Sequence, residues 1–330
     1  MIKFMTLYAN IALLLCVFIS CQNSSHHSYY SSIDSLSFLL SNDSVNSVLL
    51  NERAHIYLSQ NQLYLAKKDI DVSYSVFKND VNMLLTKGDI YFSLNETRIA
   101  KSSWERCLKI DPNNLACREK LTDLLCAVRH MDCKSMIDTL LLINNGMISP
   151  PLIVYLKELG EYKLAVDVLD NMVSKFPNHK EYLVLLSVLY SDTCSMNQVY
   201  NSQLAEQYFE NIIQLYPNYA RGYYNFGKHR QNIGDYQSAL SLYNQSISIN
   251  PTDKQTYYNM GFCHLQIQEY TQAIEFFTKV IELDNTFLLA YHARAHLYDI
   301  TKQKDKAISD WKHCLMLNPS YIPALQALSK

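Results

Sequence analysis

The sequence predicts an all-α chain built as a stack of two-helix hairpins, and three observations carry that expectation. Only 7 Gly and 8 Pro occur in 330 residues, which disfavours Gly-rich nucleotide folds and β-solenoids and fits helices joined by short turns. Hydrophobic residues make up 48% of the chain, enough apolar surface for packed cores. Above all, marker residues recur every 34 positions: Gly227, Gly261 and Ala295; Ala239, Ala273 and Ala307; Tyr243, Phe277 and Trp311. Tyr223, Tyr257 and Tyr291 keep the same phase, and Pro251 and Pro319 lie two periods apart. The spacing has a physical reason. Two antiparallel helices approach closely where each offers a small residue, an aromatic fills the gap beside them, and proline marks the end of the second helix because it lacks an N–H.

Residues 1–21, MIKFMTLYANIALLLCVFISC, read as an address. Lys3 precedes an apolar run from Ile11 to Ile19, too short for a spanning helix of ~20 residues. The end of this run, Val17-Phe18-Ile19-Ser20-Cys21, resembles the bacterial lipoprotein signal, in which the cysteine is acylated and becomes the mature N-terminus. Phe18 stands where that signal usually has Leu. An ordinary cleaved signal, and an uncleaved anchor from Phe4 to Ile19, are the other readings. Residues 21–46 are then expected as the lipidated Cys21 and a Ser-rich tether, with His26-His27 solvated in it.

The 34-residue template organises residues 47–321. Ala54, Tyr57 and Ala66 define a hairpin over 47–80; Gly88, Tyr91, Ala100, Trp104 and Pro112 define one over 81–114. Residues 115–145 are apolar and helical but lack the small and aromatic markers, a degenerate hairpin. Gly160, Ala165 and Pro177 mark the second helix of a hairpin near 146–179. Ala205, Phe209 and Pro217 mark another over 180–219, with its excess length in a loop from Ser191 to Asn201. Three clear hairpins cover 220–321, and Ile322 to Lys330 is expected as a terminal capping helix.

Together these residues resemble the tetratricopeptide repeat. The resemblance implies a right-handed superhelix of about eight helix-turn-helix units, with divergent repeats over 47–179 and clearer ones over 180–330. It also implies a concave groove, lined by the first helix of each hairpin, that binds a partner peptide or helix. Residues at i, i+3, i+7 and i+10 share that face. In the clear hairpins they include Arg221, Tyr224 and Lys228, then Tyr258 and Phe262, then His292 and His296, an aromatic groove with two cations at one end. Lys228 and Asn259 match two positions of the family's carboxylate clamp, but Ala293 stands where a cation is needed, so capture of a C-terminal carboxylate is not predicted.

Other chemistry is weakly supported. A net charge of −2 argues against a nucleic-acid partner. No phosphate-binding Lys-Ser/Thr loop, dinucleotide Gly fingerprint or Gly-x-Ser-x-Gly elbow occurs, so no cofactor, small-molecule substrate or catalytic residue is predicted. His292 and His296 have the i, i+4 spacing of metal ligands but no Glu between them, leaving a metal-binding or enzymatic role as a lesser alternative. Cys107 and Cys314 share one slot of the second helix and are expected as free core thiols; Cys126 and Cys133 could pair across a tight turn. The expected function is a non-catalytic, membrane-anchored adaptor that binds other proteins, or alternatively a permanent structural subunit of an envelope assembly. No Asp follows Cys21, which in lipoproteins points to the outer membrane, facing the periplasm; secretion, or anchoring by the uncleaved segment, is the alternative.

Overall fold

The computed structural model describes residues 27–329, and the expectations for the address segment and Cys21 lie outside them. Among the described residues the chain is all helical, with eighteen helices and no strand. Helix α1 spans His27–Asn42. It is succeeded by eight hairpins: α2 Ser47–Ser59 with α3 Leu63–Val76, α4 Val81–Ser93 with α5 Thr97–Ile110, α6 Leu115–Ala127 with α7 Cys133–Ile143, α8 Pro150–Glu158 with α9 Tyr162–Lys175, α10 Lys180–Ser191 with α11 Ser202–Leu215, α12 Ala220–Asn232 with α13 Tyr236–Ile249, α14 Lys254–Gln266 with α15 Tyr270–Leu283, and α16 Leu288–Ile300 with α17 Lys304–Leu317. Helix α18, Ile322–Leu328, ends the series.

Periodicity fixes the helix boundaries as well as the core. Asn46, Asp80 and Asn114, 34 apart, each accept a hydrogen bond from the backbone N–H three residues on, at 3.1, 2.7 and 3.0 Å. Such caps contribute ~1 kcal/mol each by satisfying an orphan donor. The tight turn inside seven of the eight hairpins holds one residue at positive φ; the longer α10–α11 connection holds none. Gly160 and Gly234 supply it in two of them, and Asn61, Asn95, Arg129, Gln268 and Lys302 occupy the same slot in the others. The small-residue slots do what the spacing implied. A Cβ added at Gly227 would lie 2.8 Å from the Tyr243 ring, and one at Gly261 2.8 Å from Phe277. Ala66, Ala100, Ala165, Ala205, Ala239, Ala273 and Ala307 are all fully buried.

The described residues divide into two compact units, one ending at Ile143 and the other beginning at Asn144. In the first unit the stretch expected to be a tether is helical from His27, and Leu40 is buried. Arg53 on α2 shows what α1 does there. Its guanidinium donates to both oxygens of Asp69 on α3, at 2.6 and 2.9 Å, and to Ser37 Oγ on α1 at 2.9 Å. Ser37 and Asp69 lie sixteen residues to either side of Arg53, so α1 holds the place of a preceding second helix.

The same unit corrects the expectation for Cys107. It is bonded to Cys117, and Cys126 to Cys133. Cys107 lies in the last turn of α5, where the Cys117 sulfur at the start of α6 reaches it; Cys314 in the equivalent slot meets the Leu288 carbonyl instead and stays free. Both disulfides involve the hairpin that lacks packing markers: Cys107–Cys117 ties it to the hairpin before it, and Cys126–Cys133 closes its own turn. In that hairpin Thr122, Lys134 and Asp138 stand where its neighbours carry a small residue, Ala and an aromatic. Closing loops this short contributes ~2–3 kcal/mol each through the unfolded chain's lost entropy.

In the second unit the extra length between α10 and α11 is a loop, as expected, held by Asn197, whose amide donates to the Leu189 and Asp192 carbonyls at 2.7 Å each. Arg294 on α16 repeats the Arg53 arrangement. It donates to both Asp310 oxygens at 2.8 Å and to Thr278 at 2.9 Å, again sixteen residues to either side. Helix α18 caps one side of this hairpin through buried Ala324, packed with Trp311 and Ala295.

Candidate partner-binding groove

The residues expected to line the groove fall into two groups on the second unit. Around α12 and α14, the buried Asn259 amide donates to Tyr224 Oη at 3.2 Å, linking adjacent first helices. Tyr224 stacks at a tilt on Tyr243, centroids 6.0 Å apart, and Tyr243 in turn donates to buried Gln231 at 2.7 Å. Lys228 is half-buried on this face and forms no ion pair among the described residues; burial holds its ammonium below the usual lysine range. The nearby Cys263 thiol is pushed up to about 12 by burial, so it offers no counter-charge. Arg221 is exposed and unpaired among the described residues. A cation-bearing face thus lies beside a hydrogen-bonded tyrosine, and among the described residues no acid pairs with its cations.

Further along, Tyr258 packs against Phe277 and Phe287 with centroids 5.5 and 5.3 Å away, and Phe262 is partly buried. Tyr258 and Phe262 both keep part of their surface accessible. His292 is committed within the chain. Its Nδ1 lies 2.9 Å from Tyr321 Oη, and its ring meets Trp311 edge-on at 5.2 Å. Burial, then the charge of His296, lowers its pKa. His296 is exposed. Among the described residues no group of three His, Cys, Asp or Glu side chains is placed to hold a metal ion.

The first unit carries a face that the sequence reading missed. His55, Asp89 and Asp123 occupy, at 34-residue spacing, the slot that holds Lys228, Phe262 and His296 downstream. Extending the same spacing upstream is the signal that finds them. Asp89 is 3.5 Å from Lys120, yet burial raises its pKa. Asp123 is pushed up to about 6, first by burial and then by the Glu119 charge. Each leaves one buried oxygen without a partner. A carboxyl whose folded pKa is raised binds its proton more tightly in the fold. Its burden on stability is therefore absent near pH 4 and grows as pH rises through about 6. Asp123→Asn is expected to stabilise the chain by ~1–2 kcal/mol at pH 7.5, after allowing for solvent screening at a half-exposed site, and to change little at pH 4. Urea unfolding at the two pH values checks this, and an equal effect at both would refute it.

Comparison with known proteins places the repeats. Residues 220–253 and 288–321 match one tetratricopeptide-repeat model, and residues 255–287 match a second. This segment is a run of tetratricopeptide repeats, the class its hairpins define. Residues 9–159 match the model of the CABIN1 N-terminal domain. No curated protein matches the sequence. Among solved structures, a tetratricopeptide repeat protein from Parabacteroides merdae is similar at 17% identity and a TM-score of 0.49, over 86% of this chain and 97% of that one. MamA is similar at 22% identity and a TM-score of 0.45, over 51% of this chain and 95% of its own. The Cut9–Hcn1 hetero-tetramer of the APC/C is similar at 16% identity and a TM-score of 0.48; this chain spans about half, 52%, of the chain it matches there.

Proposed function

We propose that the chain is a non-catalytic adaptor that grips another protein along the first-helix face of its C-terminal repeats. The observation that carries this reading is Lys228, a half-buried ammonium with no carboxylate partner among the described residues, beside Tyr224, Asn259 and the unpaired Arg221. Leaving a cation partly desolvated and unpaired costs stability unless a ligand supplies the counter-charge. Tyr258 and Phe262 add the aromatic contact area typical of hot spots. The partner segment is accordingly acidic and apolar in alternation. Tyr258→Ala with Lys228→Glu is expected to abolish partner capture in a crosslinked pull-down from membranes while leaving helicity by circular dichroism unchanged. Retained capture moves the site elsewhere.

The adaptor is held at a bacterial outer membrane, facing the periplasm, by an acylated Cys21. Two disulfides favour an exported chain, because thiols stay reduced in the cytosol. No helix among the described residues is long and apolar enough to cross a membrane, so the N-terminal segment carries the anchoring in this reading. Mass spectrometry of the N-terminal peptide tests it: a diacylglyceryl Cys21 supports the anchor, and an intact Met1 excludes it.

A permanent place in an envelope assembly is the second reading. At the C-terminal end Met316 is 76% exposed and Ile322 63%, and Leu325 and Leu289 are also exposed. Exposed apolar side chains are costly in a free monomer where they form a continuous patch. Co-purification that survives high salt favours this reading; a monomer by light scattering counts against it.

A further inference from the structure

We propose that a cavity in the first unit, lined by none of the residues proposed above to grip a partner, binds a phosphate monoester. The cavity has a volume of about 610 Å³ and lies between α3, α4 and α5. That is within the range of small-ligand sites, roughly 300–1,000 Å³. Three cations line it: Lys87, Arg106 and Lys109. Glu105 is the one acid in the lining, and Lys101 sits 3.7 Å from it.

The cations are poorly neutralised. Arg106 donates to Tyr74 Oη at 3.1 Å and to Asn79 Oδ1 at 2.8 Å, both uncharged acceptors, and pairs with no carboxylate among the described residues. Lys109 has no partner among the described residues and is exposed at the rim. Lys87 lies 3.6 Å above the Tyr74 ring, with Asp71 reaching it only at 3.5 Å. The lining therefore carries a net charge of +2, three cations less one acid. A single carboxylate would neutralise half of that, whereas a phosphate monoester carries about −1.5 to −2 at pH 7 and offers three acceptor oxygens. Tyr74 and Asn79 hold the guanidinium by its two terminal nitrogens, so it is oriented before any ligand arrives. Leu84, Ile99 and Ile110 form an apolar wall in the same cavity, which suits a short hydrocarbon body attached to the phosphate. That body belongs either to a soluble metabolite or to a lipid whose headgroup is the monoester.

The full chain is titrated calorimetrically with glycerol 3-phosphate, with glycerol as the uncharged control, and is sedimented with phosphatidylcholine vesicles with and without phosphatidic acid. The difference between the two vesicles removes any contribution from an N-terminal anchor. Saturable binding of glycerol 3-phosphate identifies a soluble ligand; binding gained only with phosphatidic acid identifies the headgroup. In either case Arg106→Gln and Lys109→Glu are each expected to weaken binding about tenfold or more. Lys109 is exposed and partnerless, so its variant keeps the fold if Arg106→Gln does not. No saturable binding in either arm overturns the proposal, as does binding that both variants leave unchanged.

Discussion

Arg294→Ala is expected to destabilise the C-terminal hairpins by ~3–5 kcal/mol, among the largest single-residue effects in the chain. The size comes from burial. The Asp310 side chain is 6% exposed and that of Arg294 15% exposed, and the two form a bidentate pair that also reaches Thr278 on the preceding helix. Removing the guanidinium leaves a buried carboxylate with neither counter-charge nor donors. The pair itself contributes far less than that figure, because two desolvated ions only partly offset their hydration loss. Arg294→Met with Asp310→Leu is therefore expected to recover most of the stability. In a repeat array the damage stays near its origin, so hydrogen exchange should rise first in α16 and α17 and little in the first unit. A loss below ~1 kcal/mol for the single variant would show that Asp310 finds water or another donor.

Trp104→Ala is expected to cost a similar ~3–5 kcal/mol, here from a cavity rather than a charge. Trp104 is 1% exposed, and its indole lies against Gly88, where any Cβ would overlap it. Its N–H points toward Asp89 without completing a hydrogen bond. Trp104→Phe should thus cost less than half as much, since it keeps most of the ring and removes an unsatisfied donor. Gly88→Ala should cost ~1–3 kcal/mol despite the gain in helix propensity, and should become nearly neutral when Trp104 is Leu. Additive costs in that double variant, measured by urea unfolding, would refute the close approach.

Gly88 and Trp104 also show which parts of the molecule are legible without coordinates. They are sixteen residues apart and chemically distinctive, and the period repeats them as Gly227 with Tyr243 and Gly261 with Phe277. Arg53 with Asp69 and Arg294 with Asp310 have the same sixteen-residue spacing but do not stand out, because charged residues are common and only burial distinguishes these from solvated ones. The groove residues show the same limit. Position on a helix face can be read for Tyr224 and His292 alike. Only packing reveals that Tyr224 bonds to Asn259 across hairpins, whereas His292 is taken up by Tyr321 and Trp311.

By itself, then, the sequence determined the helical class, the hairpin period, the eight hairpins and the residues at which helices touch. Those are local consequences of side-chain size and of where a helix can start or stop, and a 34-residue repeat states them many times over. The tertiary structure alone decided that α1 takes the place of a second helix, that Cys107 bonds to Cys117, that the described residues form two compact units and that Lys87, Arg106 and Lys109 line one cavity. Each depends on which side chains of different helices meet and on how much water reaches them, and neither is written in the spacing along a single chain.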